Sequence, residues 1–349
     1  MKTVEKVRSA VRAYYGDVLG GTEDLQTSAC CTAESVAPHI KRILDEVDGE
    51  ILARFYGCGS PIPPALEGRR VLDLGCGTGR DAYVCAKLVG PNGLVIGVDM
   101  TEEQIAVARR HERAQANRFG FVHPNTRFVQ GAMEDLRALD IADGAVDVVI
   151  SNCVINLSPD KSRVFSEIFR VLKPGGELFF SDVFADRRLP AEWMQDQTLL
   201  GECLAGAMYV EDFRRLMLAL GVPDHRVVSQ RPIEIESAEV AAKVGAVRFS
   251  SVTVRAFKVA SLEDRCEDYG QVATYRGTIA ESPHSFVLDD HHELVAHKPM
   301  LVCGNTAAML AETRFAPHFE VRGDRSRHFG LFPCDSRASR DDDASPACC

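Results

Sequence analysis

Apolar positions in the first 66 residues recur at helical spacing. Between residues 3 and 15 they fall at Val4, Val7, Val11 and Tyr14, and residues 36–56 continue the pattern. Side chains three or four residues apart share one face of an α-helix, so both segments are predicted to be amphipathic helices. The Ser-Pro-Ile-Pro-Pro stretch at residues 60–64 breaks helices and marks a predicted domain boundary near residue 66.

From residue 67 to 185, short apolar runs alternate with segments of helical periodicity. The predicted strands are residues 69–74, 93–99, 126–130, 146–151 and 177–182, and the predicted helices are residues 80–89, 101–117 and 161–172. Thr101 and Gln104 resemble a capping box, and the Pro-Gly-Gly stretch at 174–176 is expected to end the last helix. This alternation predicts an α/β fold with an open, doubly wound, Rossmann-like sheet.

The pattern changes after residue 185. Residues 186–261 are predicted to form a segment that binds substrate, with helices at 190–204 and 210–220 and strands at 226–235 and 247–259 that extend the sheet edge. Residues 262–335 carry weaker signals and are predicted to be a smaller C-terminal domain. Residues 336–349 are polar, end in Cys348 and Cys349, and are predicted to be disordered.

Charge and composition exclude several classes of partner. The net charge is −10 without a basic cluster, which argues against a nucleic-acid surface. No apolar run is long enough to span a bilayer, and the N-terminus lacks the apolar core of a secretory signal. We therefore expect a cytoplasmic protein that acts on a small molecule. Its 12 cysteines are expected to be thiols rather than structural disulfides in that compartment.

A glycine-rich loop, Asp-Leu-Gly-Cys-Gly-Thr-Gly at residues 73–79, joins a predicted strand to a predicted helix. Glycine permits a tight turn and the close approach of a ligand. Arg80 stands where a dinucleotide fingerprint has its third glycine, and no lysine is present to neutralise a phosphate. Asp99 ends the second strand, where a carboxylate reaches ribose hydroxyls. The loop predicts a nucleoside site without pyrophosphate, suited to S-adenosylmethionine. Together with Asp99 and the apolar run at residues 146–151, it predicts a sheet of the class I methyltransferase kind. The candidate contacts are Asp73, Gly75, Gly77, Gly79, Asp99, Met100 against the adenine face, and Met133, Glu134 and Asp135 at its edge.

Four cysteines stand in distinctive settings in separate parts of the chain: Cys30, Cys58, Cys153 and Cys203. Cys153 lies just past the fourth predicted strand, and open α/β sheets bind ligands at the carboxyl ends of their strands. Cys203 lies in the helical segment after the fifth strand, where a substrate lid would form. Thiolates gathered around a methyl donor suggest a soft substrate, with trivalent arsenic as the leading candidate.

Other interpretations of the thiols stay open. An ordinary methyltransferase acting on carbon, oxygen or nitrogen explains the loop but leaves the four cysteines unused. A non-enzymatic metalloid-sequestering protein explains the thiols but not the loop. Zinc is disfavoured because no Cys-x-x-Cys or His-x-x-His pair has suitable spacing. Cys76 and Cys85 are expected to be ordinary buried thiols.

Several stretches of the chain, taken together, resemble the S-adenosylmethionine-dependent arsenite methyltransferases of the animal and algal type. They are residues 24–27 with Cys30, residues 56–59, 73–81, 98–101 and 151–157, residues 175–178 with 180–183, and residues 201–204. The resemblance covers residues 10–260, and the C-terminal third matches weakly. It implies methyl transfer to arsenic, giving mono-, di- and in some cases trimethylated arsenicals, and detoxification as the biological role.

The resemblance also implies individual roles. Cys58, Cys153 and Cys203 would hold As(III), and Cys30 would form a disulfide with Cys58 during turnover, with Cys31 beside it as the less favoured partner. Apart from the resemblance, Tyr56, Asn152 and Glu202 neighbour these cysteines in sequence. Assisting the departure of hydroxide, positioning the cofactor and simple packing are the open interpretations of these three residues. The remaining cofactor contacts would be Tyr56, Gly57, Arg80, Asn152, Cys153 and Leu157. Glutathione or thioredoxin would be the reductant, and the protein would be a monomer.

Overall fold

A computed structural model describes residues 36–53, residue 57 and residues 60–333 of the protein. The helix predicted at 3–15 and the tail predicted at 336–349 lie outside these residues. The single helix predicted over 36–56 is wrong in its described part, where two short helices, Pro38–Leu44 and Gly49–Leu52, take its place. Asp48 caps the second helix by accepting a hydrogen bond from the Glu50 N–H at 3.0 Å. An N-cap has a non-helical backbone, so a new helix starts there.

An eight-stranded sheet forms the centre of the described chain. Its strands are β1 (Arg70–Leu74), β2 (Leu94–Asp99), β3 (Thr126–Gln130), β4 (Val146–Asn152), β5 (Leu172–Ala185), β6 (Met208–Tyr209), β7 (His225–Pro232) and β8 (Phe249–Phe257). The order is β3-β2-β1-β4-β5-β8-β7, and β6 pairs with β5. The strand pairs among β1 to β6 are parallel. Strand β8 runs antiparallel to both of its neighbours, β5 and β7. The predicted α/β fold is confirmed, with β7 and β8 extending its edge as expected.

Helices cover both faces of the sheet because successive strand residues point in opposite directions. In β1, Val71 joins the apolar cluster beneath helix Arg80–Val89, while Leu72 and Leu74 join the cluster beneath helix Lys161–Val171. The other helices of the described residues are Glu102–Arg118, Gln197–Gly201, Val210–Ala219, Ala238–Val244 and Gly304–Ala311. Within the described ranges, no helix is both long and apolar enough to cross a membrane.

Two local predictions about helix ends are wrong. Pro174-Gly175-Gly176 does not separate a helix from a strand, because β5 already starts at Leu172. The Gly175 N–H donates to the carbonyl of Lys258, the residue after β8, at 2.7 Å. Hydrogen bonding to this neighbouring strand therefore extends β5 through the Pro-Gly-Gly stretch. Thr101 precedes helix Glu102–Arg118 without a side-chain cap. Its N–H instead donates to Asp99 Oδ1 at 2.8 Å.

The chain beyond β8 contains a second, smaller set of strands. β9 (Gln271–Tyr275) lies between β12 (Pro299–Val302) and β13 (Phe319–Arg322), and β10 (Ser285–Val287) pairs with β11 (Glu293–Val295). Helix Gly304–Ala311 packs on this sheet in an apolar cluster that also takes in Phe257 of β8. The weak signals of this region therefore correspond to short strands that pair across long stretches of sequence. The domain boundaries proposed near residues 66, 185 and 261 stay predictions.

A buried ion cluster joins the small sheet to the large one. Glu177 of β5 is fully buried and accepts a hydrogen bond from Arg255 of β8 at 2.5 Å. The same carboxylate also pairs with Arg314, which follows helix Gly304–Ala311. Arg314 donates a further hydrogen bond to the Pro64 carbonyl at 2.9 Å. One carboxylate thus compensates two buried guanidinium groups from different parts of the chain.

Candidate functional site

A cavity opens at the carboxyl ends of β1, β2 and β4, where open α/β sheets bind their ligands. The predicted residues that line it are Gly57, Asp73, Gly75, Gly77, Arg80, Asp99, Met100, Met133, Glu134, Asn152, Cys153 and Leu157. Sequence reasoning missed other lining residues, including Thr78, Asp81, Thr101, Gln104 and Ser158. A polar side chain just after the glycine loop is the signal that could have identified Asp81.

The glycine loop shapes this cavity through its backbone. Gly75 has φ +71°, and a Cβ there would lie 2.3 Å from Val154. The N–H of Gly77, at φ +52°, donates to Asp99 Oδ2 at 3.0 Å. Gly79 was predicted to contact the cofactor, but it does not line the cavity. It is the N-cap of helix Arg80–Val89, with φ +93°, and it packs against Phe128. The loop therefore leaves an open backbone surface for a ligand and fixes Asp99 beside it.

Asp73 gives the cavity an acidic wall that suits a cationic ligand. Its Oδ2 is buried and has no hydrogen-bond partner in the described part of the chain. Burial, and then the nearby charges of Asp81 and Asp99, raise the pKa of Asp73 well above its usual range. Burial likewise raises the pKa of Asp99. A positive charge in the cavity would offset both effects, and S-adenosylmethionine carries positive charge at its sulfonium and amino groups.

Hydrogen bonds connect the polar side chains that line the cavity into two groups. Asp81 accepts a hydrogen bond from Asn152 Nδ2 at 2.9 Å and pairs with Arg80 Nη1 at 2.6 Å. Glu134 accepts from the Ser158 hydroxyl at 2.7 Å. Charge-assisted bonds of this kind hold side chains firmly. Asp135, the third member of the predicted adenine edge, is exposed and does not line the cavity.

Cys203 packs against Cys153, which lines this cavity. The Cys203 Sγ donates to the Cys153 carbonyl at 3.3 Å. Both are buried, at 3% and 0% exposure, in one apolar cluster. Both also adopt left-handed backbones, with φ values of +54° and +59°. Such conformations are rare outside glycine and cluster at functional sites.

The predicted helix over residues 190–204 is wrong, and the error bears on Cys203. A 3-10 turn, Ala191–Gln195, precedes a short helix, Gln197–Gly201. Asp196 caps that helix by accepting from the Leu199 N–H at 3.0 Å. Cys203 therefore lies on the turn after a helix, where a left-handed backbone is possible. Glu202 beside it is fully buried.

Three residues that sequence reasoning missed determine how close the two cysteines come. The Asn156 N–H donates to Asp182 at 3.1 Å, and its side chain donates to the Val183 carbonyl at 2.6 Å. A Cβ on Gly206 would lie 1.9 Å from the Asn156 carbonyl oxygen. Only glycine therefore permits the Cys203 turn to pack on the loop that follows Cys153. The glycine three residues after Cys203 is the sequence signal that could have identified this close contact.

Asp182 makes the stability of this site depend on pH. Burial raises the pKa of Asp182 to about 7 from the ordinary 3.8, although the charge of Lys161 opposes the shift. An acid whose pKa rises on folding takes up a proton, so its stabilising contribution is present below pH 3.8 and is lost as pH rises through about 7. We expect Asp182→Asn to remove this loss.

The measurement is the free energy of unfolding of both proteins in urea at pH 5 and pH 8. The stability of the variant relative to the natural protein should increase by about 3 kcal/mol from pH 5 to pH 8. About two pH units of this window lie below the raised pKa of about 7, and each is worth about 1.4 kcal/mol. A difference between the two proteins that stays constant over this range would contradict the assignment.

The five cysteines of the first 100 residues fall into two groups. Cys30, Cys31 and Cys58 lie outside the described residues, as does Tyr56. Cys76 and Cys85 are buried thiols, and burial raises both pKa values well above the usual range. Cys153 is disulfide-bonded in the structure, which differs from the expectation that the cysteines are thiols.

Family models and known proteins match most of the chain. A family model described as a methyltransferase domain matches residues 66–221, and one described as the arsenite methyltransferase C-terminal domain matches residues 268–343. An arsenite methyltransferase of Aquipseudomonas alcaligenes is 52% identical, over 98% of this chain and 100% of its own length. The Homo sapiens arsenite methyltransferase is 39% identical, over 91% of this chain and 84% of its own length.

A solved structure is similar throughout its length. The arsenic(III) S-adenosylmethionine methyltransferase of Chlamydomonas reinhardtii superimposes with a TM-score of 0.82 at 53% identity, covering 85% of this chain and 99% of that one. This match includes the large sheet with its cavity. Because the relatives align over nearly the whole chain, from the methyltransferase sheet to the C-terminal region, the protein belongs to the arsenite methyltransferase family.

Proposed function

We propose that this protein transfers methyl groups from S-adenosylmethionine to trivalent arsenic held by the thiolates of Cys58, Cys153 and Cys203. The observation that carries the proposal is the pair of buried cysteines, Cys153 and Cys203, at the cavity whose other wall contains Asp73 and Asp99. The products are mono- and dimethylated arsenicals, with a third methylation as a further step, and the role is arsenic detoxification.

Soft thiolates suit this substrate because the oxygens of neutral arsenous acid offer few recognition contacts. Three thiolates leave a lone pair on arsenic, and that lone pair is the nucleophile, so no general base is needed to create it. Thiols must lose their protons to bind, so loading releases protons. Alignment of the arsenic with the methyl group is then the main contribution of the protein, a factor worth up to about 7–11 kcal/mol in well-oriented reactions.

S-adenosylmethionine supplies an electrophilic sulfonium methyl group at the cavity. Asp73 would offset positive charge there, since its buried Oδ2 has no hydrogen-bond partner among the described residues. Asp99 would accept hydrogen bonds from the ribose, and Met100 would pack on the adenine. The ion pair of Arg80 with Asp81 holds Asn152 beside Cys153. The two strained cysteine backbones fix where the sulfurs, and hence the arsenic, lie.

Three further roles belong to the proposal. Cys30 would form a disulfide with Cys58 and so reduce the arsenic that has become pentavalent on methylation. Glutathione or thioredoxin would restore the two thiols. Tyr56 and Glu202 would assist the departure of hydroxide from arsenic, and the fully buried position of Glu202 next to Cys203 supports its part in this step.

The direct test incubates the purified protein with arsenite, a thiol reductant and S-adenosylmethionine, and separates the arsenic species by chromatography. Methylated arsenicals are expected in step with the formation of S-adenosylhomocysteine. Intact binding of S-adenosylmethionine without methylated product would overturn the proposal. Substitution of Cys153 by serine separates it from an ordinary methyltransferase, which would keep its activity.

Asp99→Ala is expected to weaken S-adenosylmethionine binding by about 10- to 100-fold, because a hydrogen bond to a charged group contributes about 1.5–3 kcal/mol. Calorimetric titration with S-adenosylmethionine measures the effect. Asp135→Ala is the matched control, since Asp135 is an exposed carboxylate that does not line the cavity. Equal affinity in the Asp99 variant and the control would show that Asp99 does not contact the nucleoside.

A further inference from the structure

A second pair of cysteines, Cys266 and Cys303, lies in the C-terminal region, and neither lines the methyl-transfer cavity. Cys303 is the N-cap of helix Gly304–Ala311, where its Sγ accepts a hydrogen bond from the Thr306 N–H at 3.4 Å. The Thr306 hydroxyl lies 3.3 Å from the same sulfur. Cys266 lies beside Cys303, because the residues that follow them are hydrogen-bonded: the Gly304 N–H donates to the Glu267 carbonyl at 2.9 Å. An interaction with the Cys266 side chain also lowers the pKa of Cys303.

The surroundings favour a thiolate at Cys303. The interaction with Cys266 is the main cause of a pKa for Cys303 well below its usual range, and it outweighs the effect of burial. Arg226 of β7, itself buried, places Nη2 3.9 Å from the Cys303 sulfur. Asp224 and Asp289 also pair with Arg226, at 2.7 and 3.1 Å, and His292 pairs with Asp289 at 2.7 Å. Helix N-termini and adjacent arginines stabilise thiolates.

The two sulfurs differ in their access to solvent. Cys303 is fully buried, whereas Cys266 is partly exposed. The hydrogen bond from Gly304 to Glu267 holds the backbone after Cys303 against the backbone after Cys266. The Phe332 N–H donates to the Cys266 carbonyl at 2.7 Å. A partly exposed cysteine thus lies beside a buried one, so a small disulfide can reach Cys266 but not Cys303, and Cys303 is placed to resolve a mixed disulfide on Cys266.

We propose that Cys266 and Cys303 form a redox-active dithiol that small disulfides such as oxidised glutathione convert into an intramolecular disulfide. The exposed Cys266 thiol loses its proton and attacks one sulfur of the small disulfide, forming a mixed disulfide and expelling one thiolate, which takes up that proton. The Cys303 thiolate then attacks the Cys266 sulfur and expels the second thiolate. One disulfide is reduced to two thiol groups, and the protein dithiol is oxidised by two electrons.

This oxidation acts on the junction between the two sheets. Formation of the disulfide removes the negative charge of the Cys303 sulfur next to Arg226 of β7. It also changes the sulfur that accepts the capping hydrogen bond of helix Gly304–Ala311. Asn305 of that helix also donates to Asp224 at 2.8 Å, so the same junction holds the helix at a second point. The thiol pair thereby links the redox state of the surrounding thiol pool to the packing of the C-terminal region.

The test treats the full chain with oxidised glutathione at pH 7, blocks remaining thiols and maps peptides by mass spectrometry without reduction. The natural protein is expected to give a peptide linked through Cys266 and Cys303. Cys303→Ser is expected to retain glutathione on Cys266, because the resolving thiolate is gone. Cys266→Ser is expected to leave Cys303 unmodified, because it is buried. The buried Cys85, which should remain a thiol throughout, is the internal control.

Three results would overturn the proposal. The first is a natural protein in which both cysteines stay reduced while exposed cysteines are modified. The second is glutathione retained on Cys266 of the natural protein without the linked peptide. The third is glutathione on Cys303 of the Cys266→Ser variant. Should Cys303→Ser fail to fold, as judged by circular dichroism, the natural protein and Cys266→Ser still decide the question.

Discussion

Cys203→Ser is expected to reduce methyl transfer to arsenite by at least about 100-fold while S-adenosylmethionine binds as before. A misplacement of about 1 Å in the reacting geometry already costs a factor of this size, and serine supplies a hard oxygen in place of a soft sulfur. Cys203 is fully buried and is not among the residues that line the nucleoside cavity. The loss should therefore appear in the chemical step rather than in cofactor affinity.

The measurement pairs the rate of methylarsenical formation with calorimetric titration of S-adenosylmethionine. Cys85→Ala is the matched control, because Cys85 is an equally buried thiol in helix Arg80–Val89 and does not line the cavity. The control should retain methyl transfer. A Cys203 variant that methylates arsenite at the rate of the control would remove this cysteine from the arsenic site.

Glu177→Gln is expected to destabilise the protein by about 3–5 kcal/mol, because removing one partner of a buried ion pair leaves an uncompensated charge. Here the loss affects two guanidinium groups, those of Arg255 and Arg314, which are almost fully buried beside Glu177. The glutamine amide retains the shape of the side chain but not its charge. Since Arg314 also binds the Pro64 carbonyl, the C-terminal region should loosen together with the sheet.

Urea unfolding followed by circular dichroism measures this effect. Asp212→Asn is the control, because it removes a carboxylate that pairs with Arg188 and Arg215 at the surface. Ion pairs of exposed side chains contribute little to stability, so the control should unfold close to the natural protein. Similar unfolding of Glu177→Gln and the control would show that the buried cluster does not hold the two sheets together.

The sequence predicted those parts of the protein whose signals are local. The apolar run of β4 and the glycine loop before helix Arg80–Val89 are contiguous in the chain, so period and composition were enough to find them. The nucleoside residues followed because strands of a parallel sheet end at a common edge, which brings Asp73, Asp99 and Asn152 to one cavity.

What the sequence did not predict depends on contacts between distant segments. The turn that carries Cys203 requires Gly206 to pack against Asn156, a contact between residues 50 positions apart that no local pattern contains. The capping box at Thr101 failed because Asp99 accepts its N–H instead. The proximity of Cys266 to Cys303 escaped for the same reason, since each stands in an uninformative stretch of sequence.

If sulfur atoms from separate segments hold one arsenic atom beside the methyl-donor cavity, a crystal structure of the reduced protein with bound arsenite will show it through the anomalous scattering of arsenic. We expect a single strong arsenic peak bonded to the sulfurs of both Cys153 and Cys203. Arsenic bound elsewhere in the chain, with these two sulfurs unliganded, would contradict it.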